Sequence, residues 1–376
     1  MPTSDWRNHR RIVTANDGEG PRSGRLARIS YLMVALALVS LPFADLEIYH
    51  VEPEVELARM ARGLLHPAWP QAALLAEAAT HTIAFALLAV AGACTLGLLL
   101  ALCFRHRWVR ISCAATRSVH ELFWGLLLMQ WLGLSPLTGI LAIMIPYSGI
   151  FARVYAEILE RQSALPGSTL PPGSDLLSRH LYTLFAQASG ELRAYTGYRF
   201  ECALRSSAIL GFIGLPTLGF HLESAFREGR YAEGSGIMLL FFALIASKRI
   251  WLRPRLLPVL LPLSVWLLPD AAVGHSTHGW QFFSQDLWPT PLREGDIIGA
   301  WHWYREEFSA VAAPALVDTL LLSQLALVLS GACALLCYGW ACRTLVSTPL
   351  YTAGHTLLLL MRSTPEIILA FILLLM

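Results

Sequence analysis

The sequence predicts an all-α, polytopic membrane protein, and three observations carry that expectation. Of 376 residues, 55% are hydrophobic and only 14% are charged, against about a quarter charged in ordinary soluble domains. The apolar residues gather into runs long enough to cross a bilayer, and the arginines gather between those runs. The formal net charge of +2 is too mild to mark a nucleic-acid partner.

A helix needs about 20 mostly apolar residues to cross some 30 Å of hydrocarbon, where an unpaired backbone group finds no partner. Eight segments meet that measure, near 27–45, 78–104, 118–134, 136–156, 200–221, 235–250, 255–270 and 313–341, and a ninth opens around 362. The first follows Arg22, Arg25 and Arg28 without a small-residue cleavage pattern after it, so it reads as a retained signal anchor after a cytoplasmic tail, 1–26. Short cytoplasmic loops carry the excess of positive charge. An amino end inside then places four groups on the same side: Arg105, Arg107, Arg110 and Arg117; Arg153, Arg161 and Arg179; Lys248, Arg249, Arg253 and Arg255; Arg343 and Arg362.

Two long segments are left outside. One, 46–77, is acidic at Glu47, Glu52, Glu54 and Glu56; the other, 271–312, holds Trp280, Trp288, Trp301 and Trp303, residues that suit a surface lying against lipid headgroups. His275, His278 and His302 are scattered there and read as solvated, not as a metal site. The seven cysteines lie in or beside apolar runs without metal-ligand spacing and read as small apolar fillers.

The chain repeats itself. Arg117-Ser-Val-His-Glu121 opens one apolar run and Arg362-Ser-Thr-Pro-Glu366 another; each follows a long apolar helix containing Gly-Ala-Cys, at 92–94 and 331–333, with Thr80 and Thr319 at equal distances ahead. Arg25–Ala44 is echoed by Arg249–Leu268. The expected division is a first unit, 27–250, of an anchor helix and five core helices, and an incomplete second unit, 251–376, as in a truncated fusion of two halves. Equivalent helices run the same way after six spans, and transporters are commonly built of two such units around a central path.

The stretch Tyr198-Arg-Phe-Glu-Cys-Ala-Leu-Arg205, continuing through Gly211 and Gly214 to Gly219, resembles the permease subunits of phosphonate-type ABC importers. Ser118–Leu127, Leu132–Gly139 and Phe151–Glu160 are similar to the corresponding family segments in the same order, so the resemblance covers about residues 75–250, with a second partial match from about 315. It implies a type I importer helical bundle in a bacterial inner membrane, carrying phosphonate, phosphate or a related small oxyanion. The implied partners are a cytoplasmic ATP-binding subunit, a periplasmic solute-binding protein, and a second permease half or a homodimer partner, with membrane lipid around them. The family's coupling loop corresponds to 157–197. Gly173 stands at the family glycine, Gly167-Ser-Thr replaces an Glu-Ala-Ala-like triplet, and Pro166, Pro171 and Pro172 break helix beside it. Beyond them 175–194 reads as an amphipathic helix with Leu176, Leu177, Leu181 and Leu184 on one face and Arg179 beside it, a face that would either lie on the membrane surface or, as the resemblance implies, meet the ATPase. Where the family has Gly-Ala-Gly-Gly-Ile-Gly, this chain has Gly214-Leu-Pro-Thr-Leu-Gly219, so Pro216 is expected to stiffen the helix break.

Charges inside a span cost about 2.5–3.5 kcal/mol on insertion scales and usually face protein. Glu121 and Glu366 lie just inside helix starts, and Glu201 and Arg205, four residues apart, are placed to pair on one helix; all four are candidates for a translocation path or a structural ion pair. No phosphate-cradling Gly-Lys-Ser/Thr loop, hydrolase elbow or zinc-binding His-Glu pair is present, so no catalysis and no cofactor are expected. An ion-gradient-driven carrier, or a non-transporting remnant, is the alternative function.

Overall fold

The computed structural model describes residues 21–44, 53–163, 175, 180–269, 280–364, 366 and 369–370. Those residues form helices and turns only. In chain order the α-helices of ten residues or more are α1 (Pro21–Ser40), α2 (Pro53–Leu65), α3 (Ala72–Leu102), α4 (Arg107–Ser118), α5 (Glu121–Leu132), α6 (Pro136–Glu160), α7 (Ala186–Phe212), α8 (Leu218–Arg227), α9 (Tyr231–Trp251), α10 (Leu257–Trp266), α11 (Ile297–Glu307), α12 (Ala313–Ala341) and α13 (Thr348–Ser363). The chain divides into two compact units, one of Met1–Glu47 with Asp296–His355, the other of Ile48–Gly295 with Thr356–Met376.

Among the described residues, α3, α6, α9 and the run Ile297–Ala341 are long and apolar enough to cross a membrane, and Ala27–Phe43, α5 and α10 are shorter apolar helices. These match seven of the eight expected spans. The other, 200–221, is split: α7 starts earlier, at Ala186, and stops at Phe212, and the chain turns before α8. Two helices also stand in stretches that carry no apolar run. The cationic helix α4 follows α3, and α2 lies in the acidic segment and packs on α9, where Ser235 Oγ donates to Gly63 O at 2.8 Å.

The core of the larger unit lies where α3 packs along α6 and α7 crosses both. Phe85, Ala86, Ala89 and Ala93 of α3, Ile143 and Phe151 of α6, and Ala203 and Leu204 of α7 have no exposed surface. Small residues on α3 bring the backbones close, which is what associates helices where lipid is as apolar as the side chains. Phe151 also stacks edge-on against Tyr195 of α7, with ring centroids 5.7 Å apart.

The break after α7 is built as tightly as the core. Gly214 has φ +92°, a conformation that costs glycine nothing, and Pro216 follows. Helix α8 then lies so close on α7 that a Cβ at Gly211 would collide with the backbone of Phe220, and one at Gly219 with the backbone of Ala208. The groups freed by the break find partners on α3: His81 Nδ1 lies 2.8 Å from Pro216 O, and Leu218 N donates to Thr82 Oγ1 at 3.0 Å. Irregular backbone at this depth requires such partners.

In the smaller unit α1 packs against α12, and Gln324 Nε2 donates to Met33 O at 3.1 Å. Trp280, Trp288, Trp301 and Trp303 are all exposed.

Candidate functional site

The start of α5 and the middle of α7 meet at a cavity of about 210 Å³. Val119 and His120 are extended, and the His120 ring accepts from Leu122 N at 3.3 Å, which caps α5 and fixes Glu121 in its first turn. Glu121 Oε2 lies 3.5 Å from His120 Nε2, and its Oε1 accepts from Ser206 Oγ of α7 at 3.2 Å. Tyr147 of α6 reaches the same hydroxyl at 3.0 Å.

Two guanidinium groups of α7 complete the lining. Arg199 lies over the Tyr147 ring, 4.7 Å from its centroid, and its Nε is buried with no hydrogen-bond partner. Arg205 Nη2 donates to Cys202 Sγ at 3.4 Å. Glu366 lines the cavity as well. The site therefore combines two fixed cations with carboxylates and hydroxyls in a volume suited to a small polar ion.

Of the residues singled out in the sequence, Glu121, Arg205 and Glu366 come together here, while Glu201 faces elsewhere and pairs with Lys248 of α9. Arg199, Tyr147 and Ser206 were not singled out. Arg199 sits inside the recognised Tyr-Arg-Phe-Glu stretch, but the aromatic face beneath it belongs to another helix. Gly211, Gly214, Pro216 and Gly219 form the break described above. In the loop 157–197, Gly173, Leu176, Leu177 and Arg179 lie outside the described residues, as does the side chain of Leu181. Leu184 is half-buried in the wide helical turn His180–Phe185. The base of the loop is closed by Gln187, whose Nε2 donates to Ser163 O at 3.3 Å and Thr183 O at 3.1 Å.

A second cavity, of about 650 Å³, lies toward the C-terminal end of α6 beside α4. Arg105, Arg110, Arg117 and Arg153 face it, with Glu157 paired to Arg153 at 3.0 Å. Burial pushes the Cys113 thiol up, against the opposing pull of Arg117.

No family model matches the chain. A phosphite transport system permease protein of Stutzerimonas stutzeri is 27% identical over 137 residues, 36% of this chain and 50% of that protein. The curated relatives of this chain are transport permeases. A phosphate-import permease protein of Mycolicibacterium smegmatis is 29% identical over 132 residues, 35% of this chain and 25% of the relative. A putative cryptic phosphonate transport system permease protein of Escherichia coli is 26% identical over 107 residues, 28% of this chain and 88% of the relative. The matched part thus spans about half the length of the phosphite permease and a quarter of the phosphate one. Among solved structures, an amino acid ABC transporter shares 19% identity and a TM-score of 0.41 over 50% of this chain and 94% of its own. The homologues are permeases and not enzymes, and they match a helical chain with apolar membrane-length helices.

Proposed function

We propose that the chain is the membrane-spanning permease subunit of an ABC importer and passes phosphate, phosphite, phosphonate or a related small oxyanion, with ATP hydrolysed by a separate subunit. The cavity carries this reading: it sets Arg199 and Arg205 on one helix, between α5 and α6. Guanidinium groups are strong recognisers of phosphorus oxyanions. Names of the curated relatives support the same cargo class.

In this reading the protein sits in a bacterial inner membrane with its amino end in the cytoplasm. Its partners are a cytoplasmic ATP-binding subunit, a periplasmic solute-binding protein, and a second permease half or a second copy. The loop 157–197 docks the ATPase through Gly173, Leu176, Leu177, Arg179, Leu181 and Leu184, and Glu121, Arg205 and Glu366 border the path. Glu201 serves as a structural ion-pair partner, consistent with its contact to Lys248.

The test is uptake of radiolabelled phosphate and phosphite by cells expressing the full gene product with the ATP-binding and solute-binding proteins encoded beside it. Arg199→Gln is expected to lower uptake about tenfold or more at an unchanged level in the membrane, whereas Arg153→Gln leaves it unaltered. Deletion of 173–194 is expected to abolish both uptake and co-purification of the ATPase. Uptake that survives the deletion but collapses with an uncoupler would instead identify an ion-driven carrier.

A further inference from the structure

Building on that reading, we infer that the cavity selects oxyanions that carry a proton, with Glu121 as the residue that rejects those without one. The direction of its hydrogen bonds is the reason. An ionised carboxylate only accepts, so the bond between Ser206 Oγ and Glu121 Oε1 at 3.2 Å uses the single hydroxyl hydrogen of Ser206. The 3.0 Å bond between Ser206 and Tyr147 must then run from the Tyr147 hydroxyl into Ser206 Oγ.

The chain Tyr147 to Ser206 to Glu121 therefore points its hydrogens at the carboxylate, not at the cavity. What this wall offers an incoming anion is lone pairs, those of Glu121 above all. The opposite contribution comes from α7, where Arg199 and Arg205 line the cavity with guanidinium groups that can only donate. An anion held here needs bare oxygens for Arg199 and an O–H group for Glu121.

Phosphate and arsenate keep a proton at neutral pH, and sulfate has none. Sulfate must set an oxygen against the carboxylate. A site whose polar groups are matched to a substrate O–H discriminates strongly against an analogue that lacks it, and a hydrogen bond to a charged group is worth about tenfold or more in binding.

The full chain in lipid nanodiscs would be loaded with radiolabelled phosphate and competed with unlabelled phosphate, arsenate and sulfate. Arsenate is expected to compete within about threefold of phosphate, and sulfate at least about tenfold less well. In Glu121→Gln the amide supplies donors as well as an acceptor, so sulfate should rise to within about threefold of phosphate. The wild-type protein alone can overturn the inference, in two ways: sulfate competing as well as phosphate, or arsenate failing together with sulfate, which would mean selection by size. A monodisperse Glu121→Gln protein that still rejects sulfate would overturn it too. All three results leave the permease reading standing. A wild-type protein that holds no phosphate removes the cavity as a binding site, and uptake then decides the permease reading separately.

Discussion

Helix α3 buries Phe85, Ala86, Ala89 and Ala93 completely, whereas α12, which repeats its Thr and Gly-Ala-Cys spacing, buries none of its residues. The two helices are matched in hydrophobicity and length, so neither quantity decides which is packed. The difference lies in the residues between the repeated ones. Gly97 of α3 admits Phe151, with no room for a Cβ; the position 239 residues later is Leu336, which is 80% exposed. Val90 is buried, and its counterpart Leu329 is 66% exposed. The common residues specify a helix suited to a membrane, and the size of their neighbours specifies whether another helix can lie against it.

The comparison would break most visibly at large side chains. Phe151→Ala should destabilise the larger unit by about 3 kcal/mol, because a fully buried ring leaves a cavity, while Leu335→Ala, at a residue 82% exposed, should stay within about 0.5 kcal/mol. Denaturation of the detergent-solubilised chain, followed by tryptophan fluorescence, would measure both; equal losses would mean that α12 is packed as α3 is. Next in size is a transplant of the second copy into the first. Gly97→Leu places the α12 residue where Phe151 sits and should cost about 1–3 kcal/mol by overpacking, and Leu336→Ala should be close to neutral in the same assay.

The helical class and most of the spans were legible because long apolar runs need no knowledge of partners. What remained hidden depends on residues distant in sequence. The run 200–221 divides at the break expected around Gly214 and Pro216, but the sequence did not show what holds it: His81 and Thr82 of α3 take up the backbone groups freed at Pro216 and Leu218. Helix α4 was read as a cationic loop since its arginines obscure a 12-residue helix that packs on α6. At the candidate site the spacing of Glu201 and Arg205 suggested a local pair, and the structure adds a partner that spacing could not show, Lys248, 47 positions on from the carboxylate. Arg199 was passed over for a similar reason: its significance comes from the Tyr147 ring on another helix. The Glu121 and Glu366 match, by contrast, was visible as a repeat, and both line the same cavity.

The finest distinction between the two copies rests on one repeated atom. Cys94 and Cys333 occupy the third position of the same tripeptide, but Cys94 Sγ lies 3.1 Å from the Tyr155 hydroxyl, which also meets Thr196 Oγ1 at 2.6 Å. Cys333 is exposed. Removing a thiol from a hydrogen-bonded cluster between α3, α6 and α7 leaves a hydroxyl partly unsatisfied, a loss of about 1 kcal/mol. Cys94→Ala should therefore lower the denaturation midpoint by a small, measurable amount, and Cys333→Ala should not. Adding Thr196→Ala separates the two possible causes. If the thiol acts through Tyr155, the loss in the double variant departs from the sum of its parts, because both substitutions remove partners of one hydroxyl. If the losses add, Cys94 matters only as volume against α6, and the repeat differs by packing alone.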